Sequence, residues 1–297
     1  MEASKMESGV RRWAVDIRGW EATDEEFAYC LSLLPEEETL AVNRYVHLAD
    51  RKRALISRLL QRKLAHEVLG IPLDRIQIQR TCEGKPFLAN PGVQCPFPCF
   101  NYNVSHHGAY VVLASDPARL VGVDVMTHSP MRQPAPPAVE FFKNFTKCYT
   151  PYEWANVMKG GPTETGLLDQ FYRYWCMKEA YIKAVGIGLG FELRRAEFHY
   201  LPENDILSRR ATVSIDGVRR PEWIFTLDRL GEDHWVCVGR GPPEEATSSC
   251  SFPSSSKAAP VVAQPGESVL DIDFEFLAVE DLLIKDEKLF WRTSRTM

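Results

Sequence analysis

Trp175–Gly190 reads WCMKEAYIKAVGIGLG, an apolar helical pattern that carries Lys178, Glu179 and Lys183 and runs into Gly186, Gly188 and Gly190. On a helical wheel with Trp175 at zero, Met177, Ala180, Tyr181, Ala184 and Val185 cover a broad apolar arc. Glu179 and Lys183 fall together on the other side, four residues apart and within reach of each other, with Trp175 and Ile182 flanking them. Ionisable groups in sheltered surroundings are costly unless they are paired or bind something. A plain i,i+4 ion pair satisfies that requirement, and so does a bound ligand.

A second carboxylate weighs toward a ligand. In LVGVDVM, residues 120–126, Val121, Val123 and Val125 point one way while Asp124 points the other, beside Gly122. Asp124 and Glu179, offered from two different elements, are the kind of pair that Mg2+ takes when substrate phosphates supply its remaining ligands. The strand FNYNVSHH, residues 100–107, alternates Phe100, Tyr102 and Val104 against Asn101, Asn103 and Ser105. It ends on Ser105, His106, His107 and Gly108, donors at a turn where His106 can contact a phosphate. Gly84-Lys85-Pro86 is a turn that presents a cation and a flat proline face.

The rest of the chain frames these stretches. It has 297 residues, 45% hydrophobic and 25% charged, with a net charge of -5, the profile of a soluble globular protein. The acidic balance argues against non-specific nucleic-acid binding, and no apolar run approaches the roughly 18 residues of a membrane span. The N-terminal MEASKMESGV has no apolar core, so no signal peptide is expected and a cytosolic setting follows. Eight scattered cysteines form no C-x-x-C pair; CPFPC at 95–99 lacks two further soft ligands at zinc spacing, so reduced thiols are expected.

RRWAVDI reads as a strand, a helix begins near Pro35, and residues 50–70 form the clearest helix, capped by Asp50 and closed by Gly70 and Pro72. Its outer face carries Arg51, Lys52, Arg58, Arg62 and Lys63. That is either a solvated face or a surface for an acidic partner. From 100 to 126, three short strands joined by tight turns suggest an antiparallel meander, and THSPMRQPAPP at 127–137 reads as a linker. Helices are expected over 138–159 and 167–185, followed by strands in AEFHYL, ATVSID, WIFTLD and HWVCVGR. The expected organisation is a first subdomain to residue 130, a second over 131–240, a disordered Ser/Pro/Ala-rich linker over 241–267 and a C-terminal extension over 268–297.

Taken in order, GKP at 84–86, SH at 105–106, GVDVM at 122–126 and WCMKEAYIKAVGIGLG at 175–190 resemble the 4'-phosphopantetheinyl transferases, in the larger single-chain class typified by the surfactin-synthetase activator. The resemblance spans roughly residues 13–240. It implies an α+β fold of two pseudo-twofold-related halves with antiparallel sheets, the active site in the cleft between them, and a monomer. It implies transfer of phosphopantetheine from coenzyme A to a serine of an apo carrier protein, releasing 3',5'-ADP. Asp124 and Glu179 would hold Mg2+, Glu179 or a metal-bound water would be the base, and Lys183 would neutralise the departing phosphate. Lys85 and Pro86 would border the adenine, Ser105 and His106 would meet the phosphates, and Arg44 in VNRYVH is the candidate for the 3'-phosphate. Bacterial relatives often carry a second acid where this chain has Met126, and a thioether is a poor Mg2+ ligand. A Mg2+-dependent phosphodiesterase, or a non-catalytic module binding coenzyme A or a carrier, would use the same carboxylates differently.

Overall fold

The computed structural model describes residues 8–91, 93, 95–128, 136–203, 205–247 and 273–283. Most of the linker read at 127–137, residues 248–267 of the Ser/Pro/Ala-rich stretch and residues 284–297 of the extension lie outside them.

The first half begins with β1 (Arg11–Asp16), followed by α1 (Asp24–Ser32), α2 (Glu36–Asn43) and α3 (Leu48–Leu69). Thr23 and Glu26 close a reciprocal capping box on α1. Asp50 is not the cap of α3. The helix starts two residues earlier after His47, and the Asp50 carboxylate meets Arg53 at 2.6 Å. Gly70 ends α3 in the left-handed region as expected. The charged face of α3 also differs from its sequence reading. Arg62 is buried and donates to the carbonyls of Leu73 and Ile76, while Arg58 is half-buried and donates to Ala54 O. These two arginines are therefore not free to steer a partner.

A short hairpin, β2 (Ile78–Arg80) and β3 (Pro86–Leu88), presents the Gly84-Lys85 turn. Next come β4 (Asn101–His107), β5 (Tyr110–Asp116) and β6 (Leu120–Thr127). The three do not form a meander. β5 pairs with β4 and β1, whereas β6 pairs along its whole length with β10 (His234–Gly241) of the second half. The boundary read at residue 130 therefore differs from the strand pairing, which takes residues 120–127 into the second sheet.

The physical reason lies in side chains. The N–H groups of Val121, Val123 and Thr127, on the edge of β6 away from β10, donate to Asn101 Oδ1 (2.9 Å), Asn103 Oδ1 (3.0 Å) and His107 Nδ1 (3.1 Å) of β4. Side chains at alternate positions of β4 thus satisfy buried backbone donors that a neighbouring strand would otherwise take.

The second half continues with α4 (Ala138–Phe142), α5 (Pro151–Met158) and α6 (Glu164–Val185), then β7 (Ala196–Tyr200), β8 (Arg210–Ile215) and β9 (Val218–Leu230) before β10. The single helix expected over 138–159 is broken. Pro151 sits in the first turn of α5 with Thr150 as its cap, so the chain must leave the helical region before it. The sheet order is β6-β10-β9-β8-β7, all antiparallel. Each half therefore has a 22-residue helix, α3 or α6, on one sheet and closed by a left-handed glycine. Between the two sheets lies an apolar layer with Val112 and Ala114 from one side and Val121, Val123, Val236 and Val238 from the other.

The extension docks back as a strand and a short helical turn. β11 (Glu275–Phe276) lies parallel to β1, Trp13 Nε1 donates to Glu275 at 2.9 Å, and Val279, Leu282 and Leu283 enter the core beneath α3. No helix among the described residues is long and apolar enough to cross a membrane.

Candidate active site

Gly122 lets α6 approach β6. A Cβ there would stand 2.0 Å from Ala180 O and 2.5 Å from Ala184 N. Backbone atoms cannot move aside, so Gly122→Ala is expected to cost at least the roughly 1–3 kcal/mol of an overpacked core. A fall in Tm measures it, and an unchanged Tm would mean that helix and strand are not in contact here.

This close approach brings α6 over Asp124, two residues further along β6. Lys183 does not pair with Glu179. Its Nζ lies 2.5 Å from Asp124 Oδ1 and donates to Ser105 Oγ at 2.7 Å, while Ser105 Oγ donates to Asp124 Oδ1 at 2.9 Å. Asp124 is 4% exposed, and its other oxygen, Oδ2, is buried with no hydrogen-bond partner. Glu179 is half-buried, and its pKa is raised, first by burial and then by the charge of Asp124, with Lys183 opposing. A carboxylate whose pKa is raised by burial and by its acidic neighbour, beside that neighbour's orphaned oxygen, forms a site suited to a cation. The described residues contain no group of three His, Cys, Asp or Glu side chains able to hold a metal. The Met126 side chain packs against the core beneath α6. Trp175, expected to flank the pair, instead stacks with Phe171 and meets Phe145 edge-on; Ile182 does line the cleft.

Ser105 and Lys183 line a cleft of about 440 Å³ between the halves, with Asp124 buried behind them; Asp124 and Glu179 are not part of its lining. One end holds Lys85, whose Nζ donates to Ala184 O at 2.7 Å, with Pro86 beside it. His106 lines the cleft, and its pKa is pushed down to about 4, first by lost solvation and then by Lys183 and Arg53. His107 faces away as a rung of the β4–β6 ladder. Arg58 and Arg80 also line the cleft, residues that sequence reasoning missed as site residues. Arg80 immediately precedes Thr81, whose carbonyl closes the GKP turn, and only the fold shows that it borders the cleft. Arg44 is exposed at the end of α2 and does not line the cleft, although the next residue, Tyr45, does.

Comparison with known proteins decides what such a cleft belongs to. Residues 18–118 match the family model of the N-terminal 4'-phosphopantetheinyl transferase region, and residues 120–238 match that of the 4'-phosphopantetheinyl transferase superfamily. The L-aminoadipate-semialdehyde dehydrogenase-phosphopantetheinyl transferase of Mus musculus is 39% identical over 251 residues, 83% of this chain and 80% of its own length. This chain belongs to the 4'-phosphopantetheinyl transferase superfamily. The Homo sapiens protein of the same name is 39% identical over 237 residues, 78% of this chain and 75% of its own. A phosphopantetheinyl transferase of Thraustochytrium is 37% identical over 234 residues, 78% of each chain. As a phosphopantetheinyl transferase the chain moves 4'-phosphopantetheine from coenzyme A to a serine of a carrier protein, leaving 3',5'-ADP.

Proposed function

We propose that this transferase works with Mg2+ held by Asp124 and Glu179. The observation that carries the reading is the buried, unpartnered Asp124 Oδ2 beside Lys183 and Ser105. Mg2+ bound there would neutralise pyrophosphate oxygens and draw electron density from phosphorus.

The remaining roles fall to side chains. Lys183, in contact with Asp124 and Ser105, neutralises charge on the departing phosphate. Glu179, whose raised pKa marks a sheltered carboxylate, accepts the proton of the incoming serine hydroxyl directly or through water. Ser105 and His106 donate to the phosphates, and Pro86 gives the adenine an apolar face beside Lys85. Arg58 and Arg80 offer a cationic wall for the 3'-phosphate, with exposed Arg44 at the rim next to cleft-lining Tyr45. A carrier of the aminoadipate-semialdehyde dehydrogenase kind is among the acceptors, as the names of the animal relatives suggest. Free cysteines throughout the described residues favour a reducing compartment such as the cytosol, and one chain with both halves favours a monomer.

The test is intact-mass spectrometry of an apo acyl carrier protein incubated with the protein, coenzyme A and Mg2+. A phosphopantetheine-sized gain that EDTA abolishes and excess Mg2+ restores is expected; a gain indifferent to EDTA would remove the metal from the reading.

His106 yields a pH dependence. Its pKa is about 4 in the free protein, so the ring is neutral near pH 7. A bound phosphate favours the imidazolium and raises that pKa. Binding must then take up protons, and affinity for coenzyme A should rise as pH falls toward the free value. Calorimetry at pH 6 in buffers of different ionisation enthalpy should show proton uptake that His106→Gln loses. Equal uptake in both proteins would remove His106 from the phosphate site.

A further inference from the structure

Coenzyme A and the 3',5'-ADP left after transfer carry the same 3'-phosphate. Whatever holds that phosphate grips product as well as substrate, and turnover needs the grip to be limited. In the reading above the grip comes from Arg58 and Arg80.

These two arginines belong to two walls. Besides the coenzyme A cleft they line a second cavity of about 390 Å³, whose other lining includes Glu37 and Glu38 from the first turn of α2 and Gln61 of α3. Arg58 Nη1 donates to Ala54 O of its own helix at 2.8 Å, and its Nε is buried without a hydrogen-bond partner. Arg80 Nη1 donates to Gly84 O at 3.0 Å. Carbonyls accept these hydrogen bonds but cancel no charge.

The balancing charge comes from α2. Glu37 is exposed, but Glu38 is half-buried, and its Oε2 is buried without a hydrogen-bond partner. Burial raises the pKa of Glu38, and Arg58, Arg62 and Arg80 oppose that rise. Burial and then Arg80 disfavour the charge on Arg58, while Glu38 favours it. A phosphate entering from the cleft meets the same two cations from their other side. Two anions that share one pair of cations disfavour each other, so the carboxylate weakens the phosphate contact that the arginines make.

We propose that Glu38 sets the strength of the 3'-phosphate contact: its carboxylate, across the second cavity, tempers Arg58 and Arg80 so that 3',5'-ADP leaves after transfer. Glu38 is a specificity-determining residue and touches no reacting atom. The inference rests on the reading of Arg58 and Arg80 as the wall for the 3'-phosphate.

Calorimetry on the full chain with Mg2+ tests it with three ligands: coenzyme A, 3',5'-ADP, and dephospho-coenzyme A, which differs from coenzyme A only in lacking the 3'-phosphate. Glu38→Gln is expected to tighten coenzyme A and 3',5'-ADP by about three- to tenfold, and to leave dephospho-coenzyme A within about twofold of wild type. Inhibition of carrier modification by 3',5'-ADP should strengthen in step, and Glu38→Asp, which keeps the charge, should stay close to wild type. Unchanged affinity for all three ligands overturns the proposal. So does weaker binding of coenzyme A, which would make Glu38 a brace for the arginines. Equal tightening of all three also overturns it, because the effect would then not depend on the 3'-phosphate. Arg80→Gln separates the underlying reading from this one. If that variant still prefers coenzyme A to dephospho-coenzyme A as wild type does, the wall reading falls and takes the role of Glu38 with it. If it loses the preference while Glu38→Gln fails to raise it, the wall stands and only the role of Glu38 falls.

Discussion

Asp124→Ala is expected to lower kcat/KM for carrier modification by about 10²–10³-fold, the scale of losing one pre-organised electrostatic group at a reacting phosphate, while leaving the folded protein as stable as before. Two properties of the residue make these outcomes separable. The carboxylate is 4% exposed and one of its oxygens is buried without a partner, so its place in the fold is held at a cost. Its cationic partner Lys183 is nearly a third exposed and remains solvated after the change. Activity lost with Tm unchanged or raised would mark a residue kept for chemistry at the expense of stability. A large fall in Tm with proportionate loss of activity would show instead that Asp124 is a brace.

One turn back on the same helix the expectation reverses. Lys178→Met should destabilise the protein by about 3–5 kcal/mol, the usual penalty for leaving a buried charge without its partner. Lys178 and Glu153 are both fully buried, 2.9 Å apart. Every ammonium proton is used, since Lys178 Nζ also donates to Leu193 O at 3.0 Å and Ala196 O at 2.7 Å. Glu153 is equally engaged, accepting from the backbone N–H groups of Thr150 and Phe198. Burial pushes Glu153 up and Lys178 down, and the pair resists both shifts. The pair ties α6 to α5 and β7, and so sets the rotation about its axis that turns Lys183 toward the cleft. Thermal unfolding should show a drop on the order of 10 °C. The double variant Lys178→Met/Glu153→Gln should recover part of it, because no buried charge is then orphaned. A single variant with wild-type Tm would mean that water reaches the pair.

These two lysines show what the sequence could and could not disclose. The α+β class, the long helices and the strands of the second half follow from periodicity and from glycine or proline stops, which are local signals. Asp124, Ser105, Glu179 and Lys183 were legible as polar residues on apolar elements, and the fold brings Ser105, Asp124 and Lys183 into direct contact. Who pairs with whom was not legible. Lys183 lies one helical turn from Glu179 in sequence, yet bonds to a residue 59 positions away. Lys178 looked like one more charge on a helix and proved to be its most deeply buried cation, because Glu153 comes from a helix whose start is set by Thr150-Pro151. Arg58 and Arg62 read as surface charge because periodicity places a residue on a face without saying what later packs there. β6 looked like the third strand of a meander because a tight turn precedes it; its true neighbour is β10, where Asp124 faces Cys237, 113 residues on.

The ladder of Asn101, Asn103 and His107 along β6 separates this molecule from one built as a continuous sheet. Amide-to-carbonyl pairing between strands is common to every sequence, and only a change to proline removes one of its donors. Here the seam between the halves is instead encoded residue by residue, on the same strand that carries Ser105. Inheritance can therefore loosen, shift or tighten the angle between the two halves with single substitutions that touch neither core. Cleft width in this lineage is open to selection in small steps, and divergent members can be fitted to different cargo without rebuilding the fold.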